Sequence, residues 1–384
     1  MIQAESFIES ARQHGFQHYT GVPCSFLTPF INYAINDESL SYISSSNEGD
    51  ALATAAGLAI AGLPAVVMMQ NSGLGNAISP LTSLAYVFRI PVLIITTHRG
   101  ASGLKDEPQH ELMGQITGEL FDTMQTPWEY FPDEHDKVEA ALQRAQEYMK
   151  KERRPYAFIM KKGAVAAHEL KKNSIPSLKT RIPEKHHFAN DDDILVTRQT
   201  ALAQIIKNTM VDKSVVIATT GFTGRELFAA EDRDNHFYMV GSMGCASSLG
   251  LGIALARPDL TIVVVDGDGA ALMRMGNLAT LGSYANSNLI HILLDNEAHD
   301  STGAQATVAS NVNFADIAAA CGYGLSYSGE NPELIDALFA STSRSGPRFG
   351  HLKIRSGTID KLPRPNVRPN EVLQRLMRNI NSAF

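Results

Sequence analysis

The chain has 384 residues and a formal net charge of −7, with 44% hydrophobic and 19% charged residues. That apolar fraction excludes a solvated, disordered chain, and the length suits about two domains. The acidic balance argues against a nucleic-acid partner, which calls for a basic face, but it leaves room for a small anionic substrate held by a few local cations.

Residues 1–5 show no basic region leading into an apolar core, so no signal peptide is expected. No apolar run reaches membrane-spanning length, and 64–70 and 90–96 are strand-sized, so no membrane partner is expected either. Cys24, Cys245 and Cys321 are widely separated and form no Cys-x-x-Cys pair. A disulfide framework or structural zinc is therefore not expected, and a reducing cytoplasm is the expected location.

In chain order, residues 17–21 and 41–44 predict strands, 48–61 an alanine-rich helix, and 65–69 and 91–97 buried strands. A helical period over 138–151 and a strand at 156–161 follow. Residues 169–193 are polar and broken by prolines, which predicts a linker. The alternation then restarts: helix 200–209, strand 215–219, helix 246–256, strands 261–265 and 289–294, helix 314–321, a proline-rich stretch 361–369 and a last helix 371–380. Strands alternating with helices imply βαβ units and parallel sheets covered on both faces. The expectation is an α/β chain of two doubly wound domains, 1–168 and 194–384, with no third domain between them.

The strongest chemical signal is Val-Val-Val-Asp-Gly-Asp-Gly-Ala-Ala-Leu at 263–272. An apolar strand runs straight into Gly267-Asp268-Gly269, which puts Asp268 at the carboxyl end of a parallel strand, where open α/β sheets bind their ligands. The glycines permit close backbone approach, and the following helix start suits a phosphate. Residues 270–294 separate this from a second strand ending in Asp295-Asn296. Asp268 and Asn296 would then be neighbouring oxygen ligands for a hard cation such as Mg²⁺ that bridges to phosphates. A lone Gly-Asp-Gly reads as a strand-to-helix turn; the matched second strand favours the metal–diphosphate reading.

This pairing resembles the fingerprint of thiamine diphosphate-dependent 2-oxo acid decarboxylases. The resemblance implies Mg²⁺ on the side chains of Asp268 and Asn296 and the main-chain carbonyl of Ala298, with Gly267, Gly269 and Ala270 beside the diphosphate. Thr220-Gly221-Phe222-Thr223-Gly224 resembles the loop completing that pocket, which adds Gly221, Phe222 and Thr223. The segment 238–246 resembles the aminopyrimidine grip, with Gly241 accepting from the cofactor's amine and Met243 as the wedge that bends it. Ser46-Asn47-Glu48-Gly49-Asp50 resembles the segment of the activating glutamate, Glu48, and 70–76 the glycine loop of the same domain. Taken singly, Glu48 reads as a helix N-terminal charge and Met243 as core. The first domain thus resembles a pyrimidine-binding domain and the second a diphosphate-binding domain.

The short two-domain layout, with Gly21-Val22-Pro23-Cys24-Ser25, Thr97-His98-Arg99-Gly100, Asp106-Glu107-Pro108-Gln109-His110-Glu111 and Asp295 through Ser301-Thr302-Gly303, resembles the phosphonopyruvate and sulfopyruvate decarboxylase branch. The implied activity is decarboxylation of phosphonopyruvate, with sulfopyruvate decarboxylation or acetolactate-type carboligation as alternatives. A substrate with a second anionic group needs donors, and the candidates are Ser25, Arg99, Lys105, His110, Ser301 and Thr302. A guanidinium fork matches phosphonate oxygens, which favours Arg99 over Lys105 as the reader. Arg99 and Lys105 read equally well as solvated loop charges, and His110 as a surface histidine. The resemblance also implies a homodimer or higher homo-oligomer with the active site between subunits.

Overall fold

In the computed structural model, which describes residues 1–171, 182–190, 194–341 and 345–383, the chain divides into two units, Met1–Ile175 and Pro176–Ala383. The first is built on six strands: β1 His18–Gly21, β2 Ser41–Ser44, β3 Ala65–Met69, β4 Leu93–Thr97, β5 Trp128–Tyr130 and β6 Tyr156–Met160. Their spatial order is β2-β1-β3-β4-β6-β5, parallel throughout. Every residue of β3, β4 and β6 is buried. That is why these stretches read as unbroken apolar runs: a parallel sheet is covered on both faces.

One face carries helices Ala4–Gln13, Thr28–Asn36 and His135–Glu152. Their apolar stripes meet the sheet in a core around Phe7, Phe30, Phe131 and Phe158. Phe7 lies 4.7 Å from Phe131 and 5.3 Å from Phe30, centroid to centroid. Such aromatic pairs add about 0.5–1.5 kcal/mol each beyond their buried area. Helix Glu48–Ile60 is buried at every position after Glu48. Its alanines and glycines let neighbouring elements close in on all sides, and Asn47 caps it by accepting from the Gly49 amide at 2.8 Å.

The second unit holds β7 Glu184–Phe188, β8 Ser214–Ala218, β9 His236–Tyr238, β10 Thr261–Gly267, β11 Leu289–Asp295, β14 Leu325–Gly329 and β15 Arg348–Lys353. They form a parallel sheet in the order β7-β14-β15-β11-β10-β8-β9. A separate antiparallel pair, β12 Ala298–His299 and β13 Gln305–Ala306, folds beyond β11. The β7 strand comes from the stretch expected as linker, while residues 172–181 and 191–193 of that stretch lie outside the described residues. The proline-rich 361–369 leads into helix Pro369–Asn379 and is gripped by Arg225, which donates to the carbonyls of Leu362 and Pro363. Among the described residues no helix is long and apolar enough to cross a membrane.

Candidate active site

Strand order reverses in the second unit between β8 and β10: the chain leaves β8 toward β9 on one side, and β10 toward β11 on the other. Ligands of open α/β sheets sit at the carboxyl ends of strands at such a switch point. The register pairs Gly267 with Leu294, so β10 and β11 deliver Asp268 and Asn296 side by side. A cavity there is lined by Gly221, Phe222, Thr223, Met243, Gly267, Asp268, Gly269, Ala270, Asn296, Ala298 and Ser301, all singled out in the sequence. Gly241 lies in the turn between Val240, which lines a neighbouring cavity, and Met243, which lines this one.

Asp268 begins helix Asp268–Met273 and is 2% exposed. Burial pushes its carboxyl above the usual range and Asp295 adds to that, while a hydrogen bond donated by the Thr307 hydroxyl partly offsets it. Buried carboxylates are paired with a cation or coordinate a metal. Asp295, fully buried, differs. Burial pushes it up, but His351 Nε2 and Lys353 Nζ, each 2.7 Å from its Oδ2, outweigh that and hold it below the usual range. It is thereby committed to the protein, leaving Asp268 as the carboxylate open to a ligand.

The fit of a diphosphate and a divalent cation rests on the donor set and on space. A Cβ on Gly269 would fall 2.4 Å from a His299 ring carbon and 3.2 Å from the Met243 methyl, so a side chain at 269 would displace the His299 ring from this floor. Gly221, at φ +96°, caps helix Phe222–Ala230, whose first two residues line the cavity, and a helix N-terminus suits an anion. No cluster of three or more His, Cys, Asp or Glu side chains able to hold a metal occurs among the described residues. A cation here would rest on one carboxylate, an amide oxygen and a main-chain oxygen, completed by phosphate oxygens. That is the oxygen-only donor set of Mg²⁺.

Sequence reasoning missed five contributors. Arg198, at a helix start far upstream, lines the cavity with its side chain 6% exposed, and Glu226 takes its Nη1 at 2.9 Å. His299, Asp300 and Thr307 follow the second motif in and around the two-residue strands β12 and β13, too short to show a periodic signal. Arg364, on the stretch gripped by Arg225, lines the neighbouring cavity with Thr220, Gly221 and Ser301.

In the first unit the switch point lies between β1 and β3. Cys24, just past β1, and Gln70, just past β3, meet there at 3.3 Å. Glu48 starts its helix beyond β2, half-buried, and Asn76 Nδ2 donates to its Oε2 at 2.8 Å. A Cβ on Gly73 would lie 2.3 Å from Glu48 Oε1, so the absence of a side chain at 73 makes room for this carboxylate. Fully buried Asn71 ties the same loop down, donating to the Arg99 carbonyl at 2.9 Å and to Thr117 at 3.0 Å.

The substrate candidates separate on inspection. Arg99 does not stand as an open fork: its Nε and Nη2 edge is closed on Asp106, with Nε 2.8 Å from Oδ2. Asp106 also accepts from the Gly100 and Glu107 amides at 3.0 and 2.9 Å. The Arg99 guanidinium therefore holds the Asp106 carboxyl far below the usual range, and Arg99 serves first to shape its own loop. His110 is not a surface residue; it is 4% exposed and its Nδ1 has no hydrogen-bond partner. Lys105 and Ser25 are exposed. In the second unit Ser301 and Thr302 are exposed too; the Thr302 hydroxyl is bound to the His299 carbonyl and Gln305.

The halves of the chain match two family models: the thiamine pyrophosphate enzyme N-terminal TPP binding domain over residues 1–125, and the C-terminal TPP binding domain over 220–349. The chain belongs to the thiamine pyrophosphate-dependent enzymes. Within them it is 42% identical over 376 residues to the phosphonopyruvate decarboxylase of Streptomyces hygroscopicus, covering 98% of this chain and 93% of that protein. Identity is 43% over 376 residues to the phosphonopyruvate decarboxylase of Streptomyces viridochromogenes, covering 98% and 94%. The fold also matches the thiamine diphosphate-dependent 4-hydroxybenzoylformate decarboxylase of Rhodococcus jostii RHA1, with a TM-score of 0.72 at 13% identity over 92% of this chain and 99% of that one.

Proposed function

We propose that this chain decarboxylates phosphonopyruvate to phosphonoacetaldehyde and carbon dioxide. The observation that carries the reading is identity of 42–43% to two phosphonopyruvate decarboxylases over 98% of the chain. Asp268, Asn296 and the Ala298 carbonyl would hold Mg²⁺ against the diphosphate. Gly221, Phe222, Thr223, Gly267, Gly269 and Ala270 line its seat, and Gly241 and Met243 hold the pyrimidine end. Thiamine diphosphate, when bound, supplies the sink for the electron pair left by departing carbon dioxide.

The protein's part is orientation and proton handling. Glu48 would hold and give up the proton shared with the cofactor's pyrimidine ring, and Asn76 donates to its Oε2, which leaves the other oxygen for that role. Buried His110 offers the unpaired Nδ1 to the substrate. Ser25, Lys105 and Ser301 would supply donors for the two anionic groups, with Arg99 adding positive charge, while the Thr302 hydroxyl stays bound to the His299 carbonyl and Gln305. A homodimer or larger homo-oligomer with the active site between subunits completes the reading. A reducing cytoplasm is the location this reading carries.

The test is carbon dioxide release by the purified protein with thiamine diphosphate and Mg²⁺, comparing phosphonopyruvate, sulfopyruvate and pyruvate. Preference for phosphonopyruvate is expected. Preference for sulfopyruvate would keep the chemistry and change the substrate, and turnover of pyruvate alone would point to carboligation.

A further inference from the structure

Asn296 can serve a cation only through its amide oxygen, yet an asparagine amide has two orientations of nearly equal shape. Something must choose between them. Asp300, four residues on, has its side chain 6% exposed, and one of its oxygens, Oδ2, accepts three hydrogen bonds. The donors are Asn296 Nδ2 at 2.7 Å, Arg198 Nη2 at 2.7 Å and the Gly357 amide at 3.0 Å. Arg198 is anchored in turn: its Nη1 reaches Glu226, itself 3% exposed, and the Gly357 carbonyl at 3.1 Å. If Asp300 swung away, a buried guanidinium would lose half its pairing, which is costly.

An ionised carboxylate has no proton to give, so the only group of Asn296 it can bind is the amide nitrogen. The oxygen is thereby turned away from Asp300. We propose that Asp300, braced by Arg198, is a positioning residue that sets the Asn296 amide, presenting Oδ1 rather than Nδ2 to the divalent cation of the diphosphate site. In the reversed orientation two N–H groups would face the cation, a repulsive arrangement. The proposal rests on the reading of Asp268 and Asn296 as cation ligands given above.

The experiment is calorimetric titration of thiamine diphosphate into the intact protein at a series of Mg²⁺ concentrations. Asp300→Asn replaces a pure acceptor with a group that can donate or accept, so the amide is no longer held. The Mg²⁺ concentration for half-maximal cofactor binding should rise about 10- to 100-fold, the range for losing an outer-shell partner of a metal ligand. The exchanged pair, Asn296→Asp with Asp300→Asn, lets the new amide donate to one carboxylate oxygen at 296 and leaves the other for the cation. It should return the half-point to within a few fold of wild type, which a merely structural defect at 300 would not allow. If Asp300→Asn fails to fold, the exchanged pair is read alone against wild type. An unchanged half-point in folded Asp300→Asn, or an exchanged pair as weak as the single variant, overturns the proposal. Wild-type cofactor binding that ignores Mg²⁺ would instead overturn the cation-site reading beneath it.

Discussion

Asn76 Nδ2 donates to Glu48 Oε2 at 2.8 Å, so the helix that follows the glycine loop holds the acid that begins the helix before it. The bond occupies one carboxylate oxygen and aims the other. Glu48→Gln should lower turnover about 10²- to 10⁴-fold, the usual weight of a positioned proton-transfer group. Mg²⁺-dependent cofactor binding should stay within a few fold of wild type. Steady-state carbon dioxide release beside calorimetry checks both, and wild-type rates would remove Glu48 from the mechanism.

Gly73→Ala separates chemistry from folding. The three atoms nearest the added methyl all belong to the Glu48 side chain, at 2.3–2.5 Å, and that side chain can rotate aside. Urea unfolding should therefore change by no more than about 1 kcal/mol, as for most mild substitutions. Turnover should fall about 100-fold, the scale of a misplaced catalytic group. Equal losses of stability and activity would count against it.

Asp268→Ala should release the cofactor. The variant is expected to lose thiamine diphosphate on gel filtration in Mg²⁺ buffer, while wild type retains it. Thr307→Val, which removes the hydroxyl bonded to Asp268, should weaken retention less. Retention by Asp268→Ala equal to wild type would sink the ligand assignment.

His236 makes stability depend on pH. It is fully buried, and burial first, then Arg233, lowers its pKa from 6.5 to about 4, while its Nδ1 meets the Glu231 carbonyl at 3.1 Å. Between those values the unfolded chain binds a proton that the folded chain refuses, so stability falls with pH. The contribution is fully present above pH 6.5 and lost by about pH 4. Its size is about 3 kcal/mol at most, from ~1.4 kcal/mol per pKa unit. His236→Gln should flatten the wild-type slope of urea-unfolding free energy across that window; an unaltered slope assigns it to other groups.

How far the sequence could be read follows from how local each signal is. Asp268, Asn296 and Glu48 sit directly at the ends of apolar strands or the start of an alanine-rich helix, so their neighbours in the chain announce them. Arg99 shows the opposite case: its position after β4 was legible, but not that Asp106, seven residues on, would close on its guanidinium. Asp300, Thr307 and Arg198 act through contacts between distant or irregular segments, which no periodicity marks. The β7 strand escaped because it is an edge: four of its five residues are exposed, so Glu-Lys-His-His carries no apolar signature and reads as linker.

The gap at Gly73 also ties two positions into one hereditary unit. A descendant that gave up the carboxylate at 48 would be free to accept a side chain at 73, and one that kept it would not. Among distant relatives, then, an alanine or serine at this position would mark lineages in which the chemistry had been abandoned while the fold was still intact.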